Sequence, residues 1–153
     1  MPIKKLLWIV IALAVGGYAF FQQQQHPKQP LAPTAVQAQV SPKSDAIIAQ
    51  AFANQKSNLQ VSGEGIVAKV LPDDKQGTRH QKFILKLANG QSLLVAHNVD
   101  LAPRVANLRA GDAVQFYGEY EWSHKGGVIH WTHHDPRGQH AAGWLQHQGQ
   151  RYQ

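Results

Sequence analysis

From Leu59 onward, apolar and polar residues alternate with a period of two, which is the pattern of β-strands that bury one face. Turn-forming residues divide this alternation into five predicted strands, over residues 61–71, 79–87, 91–97, 114–122 and 128–132. Between the third and fourth strands, Leu101–Arg109 has apolar residues at helical spacing, and Asp100 before it can cap a helix. Five strands with one short helix in this order predict a mainly β fold, an OB-like barrel over residues 58–153.

Other segments are predicted on both sides of the barrel strands. Residues 44–57 begin with Ser44 and Asp45, which favour a helix start, and their apolar residues share one helical face. We therefore predict an amphipathic helix that packs on the barrel. Residues 22–43 are rich in Gln, Pro and Ala without periodicity, which is typical of a linker. Residues 143–152 have the pattern of a further short hairpin.

The first 21 residues have the composition of a membrane anchor or a signal sequence. Lys4 and Lys5 precede residues 6–21, an apolar run that as a helix would be about 24 Å long, somewhat short of a hydrocarbon core of about 30 Å. No small residues suited to cleavage follow the run closely, which favours an uncleaved single-span anchor in the inner membrane with the domain in the periplasm. Cleavage, giving a periplasmic or secreted protein, is the alternative.

Charge and cysteine content limit the classes of function. The net charge is +6, but residues 1–57 hold five lysines against one acid, whereas the barrel region holds ten basic and eight acidic residues. A strongly basic nucleic-acid-binding surface is therefore not supported. The sequence has no cysteine, which excludes disulfides and thiolate metal sites. Eight of the nine histidines lie in the barrel region, and imidazole is a ligand for transition metals.

The predicted topology brings polar residues from distant parts of the sequence to one end of the barrel. The first three strands are expected to be antiparallel in succession, and the fifth to run parallel to the third. The end of strand one, the start of two, the end of three, the start of the helix and the end of five then form a common rim. Its candidate ligand-binding residues are Asp73, Asp74, Arg79, Asn98, Arg104 and Trp131, and its candidate metal ligands are His80, His97, His130, His133, His134 and Asp135.

Residues 130–136 hold the densest group of these candidates. On an extended strand His130 and His134 would be about 13 Å apart, and adjacent side chains such as those of His133 and His134 point to opposite faces. This run alone therefore cannot hold one ion, and His80 or His97 would have to contribute from other strands. The sequence does not fix a cofactor, and the candidate is a divalent metal ion. Imidazole with carboxylate suits zinc or another transition ion, whereas a mostly carboxylate set suits calcium or magnesium.

Several of these residues also have a purely structural interpretation. His97 can be a buried histidine bonded to the backbone, because imidazole both donates and accepts hydrogen bonds. Asp73 and Asp74 are typical turn residues. The strand alternation places Glu119 and Glu121 together on a face that we interpret as solvated.

Five short sequence motifs resemble those of an uncharacterised bacterial family of small exported or membrane-anchored proteins, catalogued as a domain of unknown function. The motifs are LPDD (71–74), RHQKFI (79–84), HNVDLAPR (97–104), GEYEW (118–122) and HWTHHDP (130–136). The similarity covers roughly residues 58–153. It implies a shared fold and an envelope location, and it brings no catalytic residues with it.

Three functional hypotheses remain open at this point. The first is a membrane-tethered, envelope-facing binding module whose rim holds a metal ion, a small anionic ligand or an oligomer. The second is a metal-assisted hydrolase, such as a phosphodiesterase or nuclease, in which His80 or His133 transfers a proton and Arg79 and Arg104 stabilise developing charge. The third is a structural envelope protein whose histidines respond to pH. No motif decides whether the protein is an enzyme.

Overall fold

The computed structural model describes residues 42–74 and 77–153, which contain one helix and seven strands. The five predicted strands lie within two residues of their predicted bounds, and the predicted terminal hairpin is present. The elements are α1 (Pro42–Ala53), β1 (Leu59–Leu71), β2 (His80–Lys86), β3 (Ser92–Asn98), β4 (Ala113–Glu121), β5 (Val128–His130), β6 (Trp144–His147) and β7 (Gln150–Tyr152).

The first five strands close into a barrel. The long strand β1 makes closure possible, because it pairs antiparallel with β2 through Ile66–Leu71 and with β4 through Leu59–Ile66. β2 pairs antiparallel with β3, while β5 lies between β3 and β4, parallel to the first and antiparallel to the second. This is the strand order predicted from the sequence. The hairpin of β6 and β7 extends the sheet by pairing β6 with β4.

The core of the barrel follows the predicted alternation. Phe83, Phe116 and Ile129 are all fully buried, and in each strand their immediate neighbours are more exposed. Burial of this apolar surface is the main contribution to stability. Helix α1 packs Ile48 and Ala51 into the same core, as predicted, but Ile47, which the prediction placed on the same face, is 46% exposed.

The predicted helix over Leu101–Arg109 is wrong, because this stretch forms turns. The side chain of Gln81 donates to the Val105 carbonyl oxygen at 3.1 Å and accepts the Val105 N–H at 2.8 Å. The N–H and carbonyl of Val105 are therefore bonded to a side chain of β2, whereas in a helix they would bond to other residues of that helix. Asp100 does not cap a helix either, since it accepts hydrogen bonds from the backbone and side chain of Arg79.

The predicted anchor or signal sequence, residues 1–21, lies outside the described residues, as do residues 22–41 of the predicted linker. In the part of the chain that the structure describes, no helix has the length and apolarity required to cross a membrane.

Candidate metal site and adjoining pocket

The pairing of β4 with β5 places two glutamates beside a histidine. Glu119 is directly opposite His130, and Glu121 is opposite Val128, two residues away. Because Tyr120 and Ile129 point into the core, these three polar side chains share the outer face of the two strands. His130 Nε2 is 3.5 Å from Glu119 Oε1 and 3.8 Å from Glu121 Oε1.

The nitrogen at the centre of this group has no hydrogen bond. His130 Nε2 is buried, and no residue of the described chain is its hydrogen-bond partner. The ligand atoms of Glu119, Glu121 and His130 all lie within 4.8 Å of one another. Two ligands on a tetrahedral ion with bonds near 2.1 Å are about 3.4 Å apart, so the spacing of these atoms is close to that of ligands around one ion.

His140 holds one of these glutamates in place. Its Nε2 donates to Glu119 Oε2 at 2.5 Å, and its Nδ1 donates to the Ala141 carbonyl oxygen at 2.9 Å. Desolvation lowers the pKa of His140, but the hydrogen bonds to Glu119 and Ala141 outweigh it, and the pKa is raised. Two acceptors around one ring favour the protonated imidazolium, because only that form donates from both nitrogens.

The loop that carries His140 is fixed by its backbone. Trp131 has a φ of +51°, which ends β5 and turns the chain away from the sheet. Its indole ring stacks on His140 at 4.1 Å between centroids with 10° between the planes. A Cβ at Gly143 would lie 1.9 Å from the Trp131 carbonyl oxygen, so only glycine permits this close approach. Asp135 accepts three backbone N–H groups, from residues 137, 139 and 140.

A small pocket adjoins the candidate metal site and shares His130 with it. Its volume is about 190 Å³, and its lining residues are His80, Ala96, Asn98, Leu101, His130, Trp131 and His133. His133 Nδ1 donates to the His134 carbonyl oxygen at 2.7 Å, which fixes the ring and places the proton of the neutral form on Nδ1. Its Nε2 is therefore the nitrogen left for a ligand.

Four charged residues of the predicted rim, Asp73, Asp74, Arg79 and Arg104, form ion pairs. Arg104 makes a two-pronged ion pair with Asp73, and Arg79 Nε donates to Asp100 at 2.7 Å. Asp74 pairs with Lys82, whose hydrogen bond is the main cause that lowers the pKa of this carboxyl. Asp73, Asp74, Arg79 and Arg104 line a second cavity of about 520 Å³. Because their charges are mutually compensated, this cavity is a weaker candidate for a charged ligand.

His97 lies in the barrel interior, fully buried. Its Nε2 donates to the Pro103 carbonyl oxygen at 3.0 Å, and Thr132 Oγ1 is 2.8 Å from its Nδ1. Burial lowers its pKa to about 4, so the ring is neutral near pH 7. With both nitrogens bonded, this environment matches the structural interpretation given above.

The structure thus divides the predicted rim. Five of the candidates, His80, Asn98, His130, Trp131 and His133, share the small pocket. His134 is exposed, and both carboxylate oxygens of Asp135 are bonded to its own loop. Hydrogen bonds from the backbone N–H groups of this loop lower the pKa of Asp135, and the one from Arg137 has the largest effect.

Sequence reasoning missed three residues of the candidate metal site: Glu119, Glu121 and His140. The first two carried a usable signal, because their shared strand parity and the hairpin turn over residues 122–127 together place them against His130. His140 lies in a stretch without periodicity, so no pattern indicated it.

The fold and the site together define a small, closed β-barrel domain with a packed helix and a histidine–carboxylate group on its outer face. The chain belongs to the family described as "Protein of unknown function (DUF3465)", whose model matches residues 31–153. The match confirms the resemblance found in the sequence, and it extends the shared region to include α1. No curated protein matches the chain significantly.

Proposed function

We propose that this domain is an OB-like metal-binding module whose ligands are Glu119, Glu121 and His130. The observation that supports this proposal is the buried His130 Nε2, which has no hydrogen-bond partner among residues 42–74 and 77–153 and lies 3.5 and 3.8 Å from two carboxylate oxygens. A buried polar atom without a partner is unusual in a folded protein and needs an explanation. An ion between the three side chains would satisfy the nitrogen and neutralise both carboxylates.

The ligand set favours a transition ion of the zinc type. One imidazole and two carboxylates suit Zn²⁺ and Mn²⁺, and at such a site zinc binds more tightly than manganese. The hydrogen bond from His140 to Glu119 is the outer contact that commonly orients a ligating side chain. Three protein ligands also leave a coordination position for water or a ligand, as in binding and catalytic sites.

Calorimetric titration of the full-length protein with Zn²⁺ and Mn²⁺ tests this proposal. We expect one high-affinity zinc equivalent, weaker manganese binding, and at least a tenfold loss of zinc affinity in Glu121→Gln and in His130→Gln. Glu64→Gln is the matched control, because Glu64 on β1 accepts a hydrogen bond from Gln115, which lies about 13 Å along β4 from Glu119. Absence of zinc binding, or equal zinc affinity in His130→Gln, would refute the assignment.

We further propose that residues 6–21 tether this module to the inner membrane and that the domain faces the periplasm. The proposal is supported by the apolar run after Lys4 and Lys5 and by the Gln/Pro/Ala-rich segment that separates it from α1. Fractionation should place the full-length chain in carbonate-washed membranes, with the domain sensitive to protease in spheroplasts. A soluble product that starts within residues 22–41 would instead show a cleaved signal sequence.

A further inference from the structure

Apart from His130, the pocket beside the candidate metal site is lined by groups that the metal does not use. Three of its seven lining residues are histidines and one is Asn98, and none of the described acidic residues lines it. Its volume of about 190 Å³ is below the roughly 300–1,000 Å³ of sites for drug-sized molecules. The pocket is therefore large enough for one small polyatomic ion with some water, and too small for a whole nucleotide.

The polar groups in this pocket are oriented by contacts outside it. Asn98 Oδ1 accepts the Asp100 N–H at 2.9 Å, so the carboxamide is fixed and its NH₂ group is the remaining donor. His133 is fixed through Nδ1, as described above, and His80 Nδ1 faces Asp74 Oδ2 at 3.6 Å. Each side chain thus keeps one nitrogen that its outer partner does not occupy. Such pre-oriented groups lose little entropy when they bind a ligand.

His130 connects this pocket to the metal site. When Nε2 is a metal ligand, the ring proton must reside on Nδ1, which makes the ring a fixed donor. The metal would also neutralise Glu119 and Glu121, whose charges otherwise oppose an anion next to His130. An anion in the pocket should therefore bind more tightly once the metal is present.

We propose that this pocket binds a small oxyanion of phosphate size, and that its binding is coupled to metal at Glu119, Glu121 and His130. The inference rests on the proposed function, because the metal supplies the charge compensation. Hydrogen phosphate suits the lining, since its O–H group can donate to an unprotonated imidazole nitrogen and its other oxygens can accept from Asn98. By linkage, phosphate must raise zinc affinity by the same factor by which zinc raises phosphate affinity.

The test is a titration of full-length protein with inorganic phosphate, in the metal-free and zinc-loaded forms, after the zinc isotherm has been measured. We expect phosphate to bind the zinc-loaded form at least tenfold more tightly. In His133→Gln, phosphate affinity should fall at least tenfold while zinc affinity stays the same. His134→Gln is the matched control, because His134 is exposed and its hydrogen bond with His133 is made by its backbone carbonyl, which the substitution keeps. Glycerol phosphate, compared with inorganic phosphate, distinguishes the terminal group of an ester from the free ion.

Histidine ring NMR of the wild-type protein provides a second readout that does not depend on the stability of a variant. Phosphate should shift the ring resonances of His80 and His133 and leave that of the exposed His124 unchanged. Normal zinc binding with no phosphate effect on these resonances would overturn the pocket assignment and leave the metal site intact. Equal phosphate affinity with and without zinc would overturn the coupling. If the protein does not bind zinc, the proposed function is overturned, and the coupling is overturned with it.

Discussion

His97 makes the stability of the barrel depend on pH in a direction that follows from its surroundings. The ring is fully buried, it donates to the Pro103 carbonyl oxygen, and its Nδ1 accepts from the Thr132 hydroxyl. Burial is the main cause that lowers its pKa from 6.5 to about 4; the Pro103 carbonyl opposes the shift, and electrostatic interactions with His133 and His80 add to it. The folded state therefore resists a proton that the unfolded chain accepts readily.

The free energy of unfolding should fall as the pH falls from 6.5 to 4. In this range the unfolded state binds one proton more than the folded state, so stability decreases by up to about 1.4 kcal/mol per pH unit. Above pH 6.5 His97 is neutral in both states, and below pH 4 it is protonated in both, so the contribution changes only within this window. Between pH 7 and pH 5 the expected loss from this residue is about 2 kcal/mol.

Denaturant unfolding at pH 7 and pH 5 measures this effect in the wild type, in His97→Gln and in the control His134→Gln. The wild type and the control should each lose about 2 kcal/mol more than His97→Gln, because glutamine does not titrate. Equal losses in all three proteins would refute the reasoning. If His97→Gln is too unstable to measure, the pKa of the His97 ring can be measured by NMR in the wild type instead. A midpoint near pH 6.5 would also refute the reasoning.

Two further predictions concern buried hydrogen bonds. Gln81→Met should lower the free energy of unfolding by about 2–4 kcal/mol, because it leaves the N–H and carbonyl of Val105 unpaired. Denaturant unfolding measures this, with Gln146→Met on β6 as the control. Equal stability of the two variants would contradict the prediction. His140→Phe should keep the stack on Trp131 but lose the bond to Glu119, and so lower zinc affinity about 10–100-fold with little change in melting temperature. Calorimetry checks the second prediction against His124→Phe, and unchanged zinc affinity would count against a positioning role for His140.

The sequence predicted the strands well because the signal for a half-buried strand is local. The alternation around Phe83 and Phe116 is visible in any short window, and it also determines which side chains face the core. The short helix over Leu101–Arg109 failed for the opposite reason. The conformation of this stretch depends on hydrogen bonds between Val105 and Gln81, which is 24 residues away. The local pattern of apolar and polar residues cannot indicate a contact at that separation.

The candidate site was predicted in part. His80, Asn98 and His133 meet in one pocket because the strand order sends the start of β2, the end of β3 and the chain after β5 to the same end of the barrel. Glu119 and Glu121 were assigned to a solvated face, since an isolated strand does not show which residue lies beside it. That information comes from the register of β4 against β5.

The histidines show why the densest run of candidate ligands was a poor guide to the metal site. His97 is buried and neutral, His140 has acceptors at both nitrogens, and of these three rings only that of His130 has a buried nitrogen without a partner among the described residues. Amino-acid composition does not distinguish these three rings, although their hydrogen-bond partners in the fold differ. An extended chain separates nearby histidines too widely to share an ion, so the ligands must come from a neighbouring strand. For this reason the proposed metal site includes Glu119 and Glu121 of β4, which the register places beside His130.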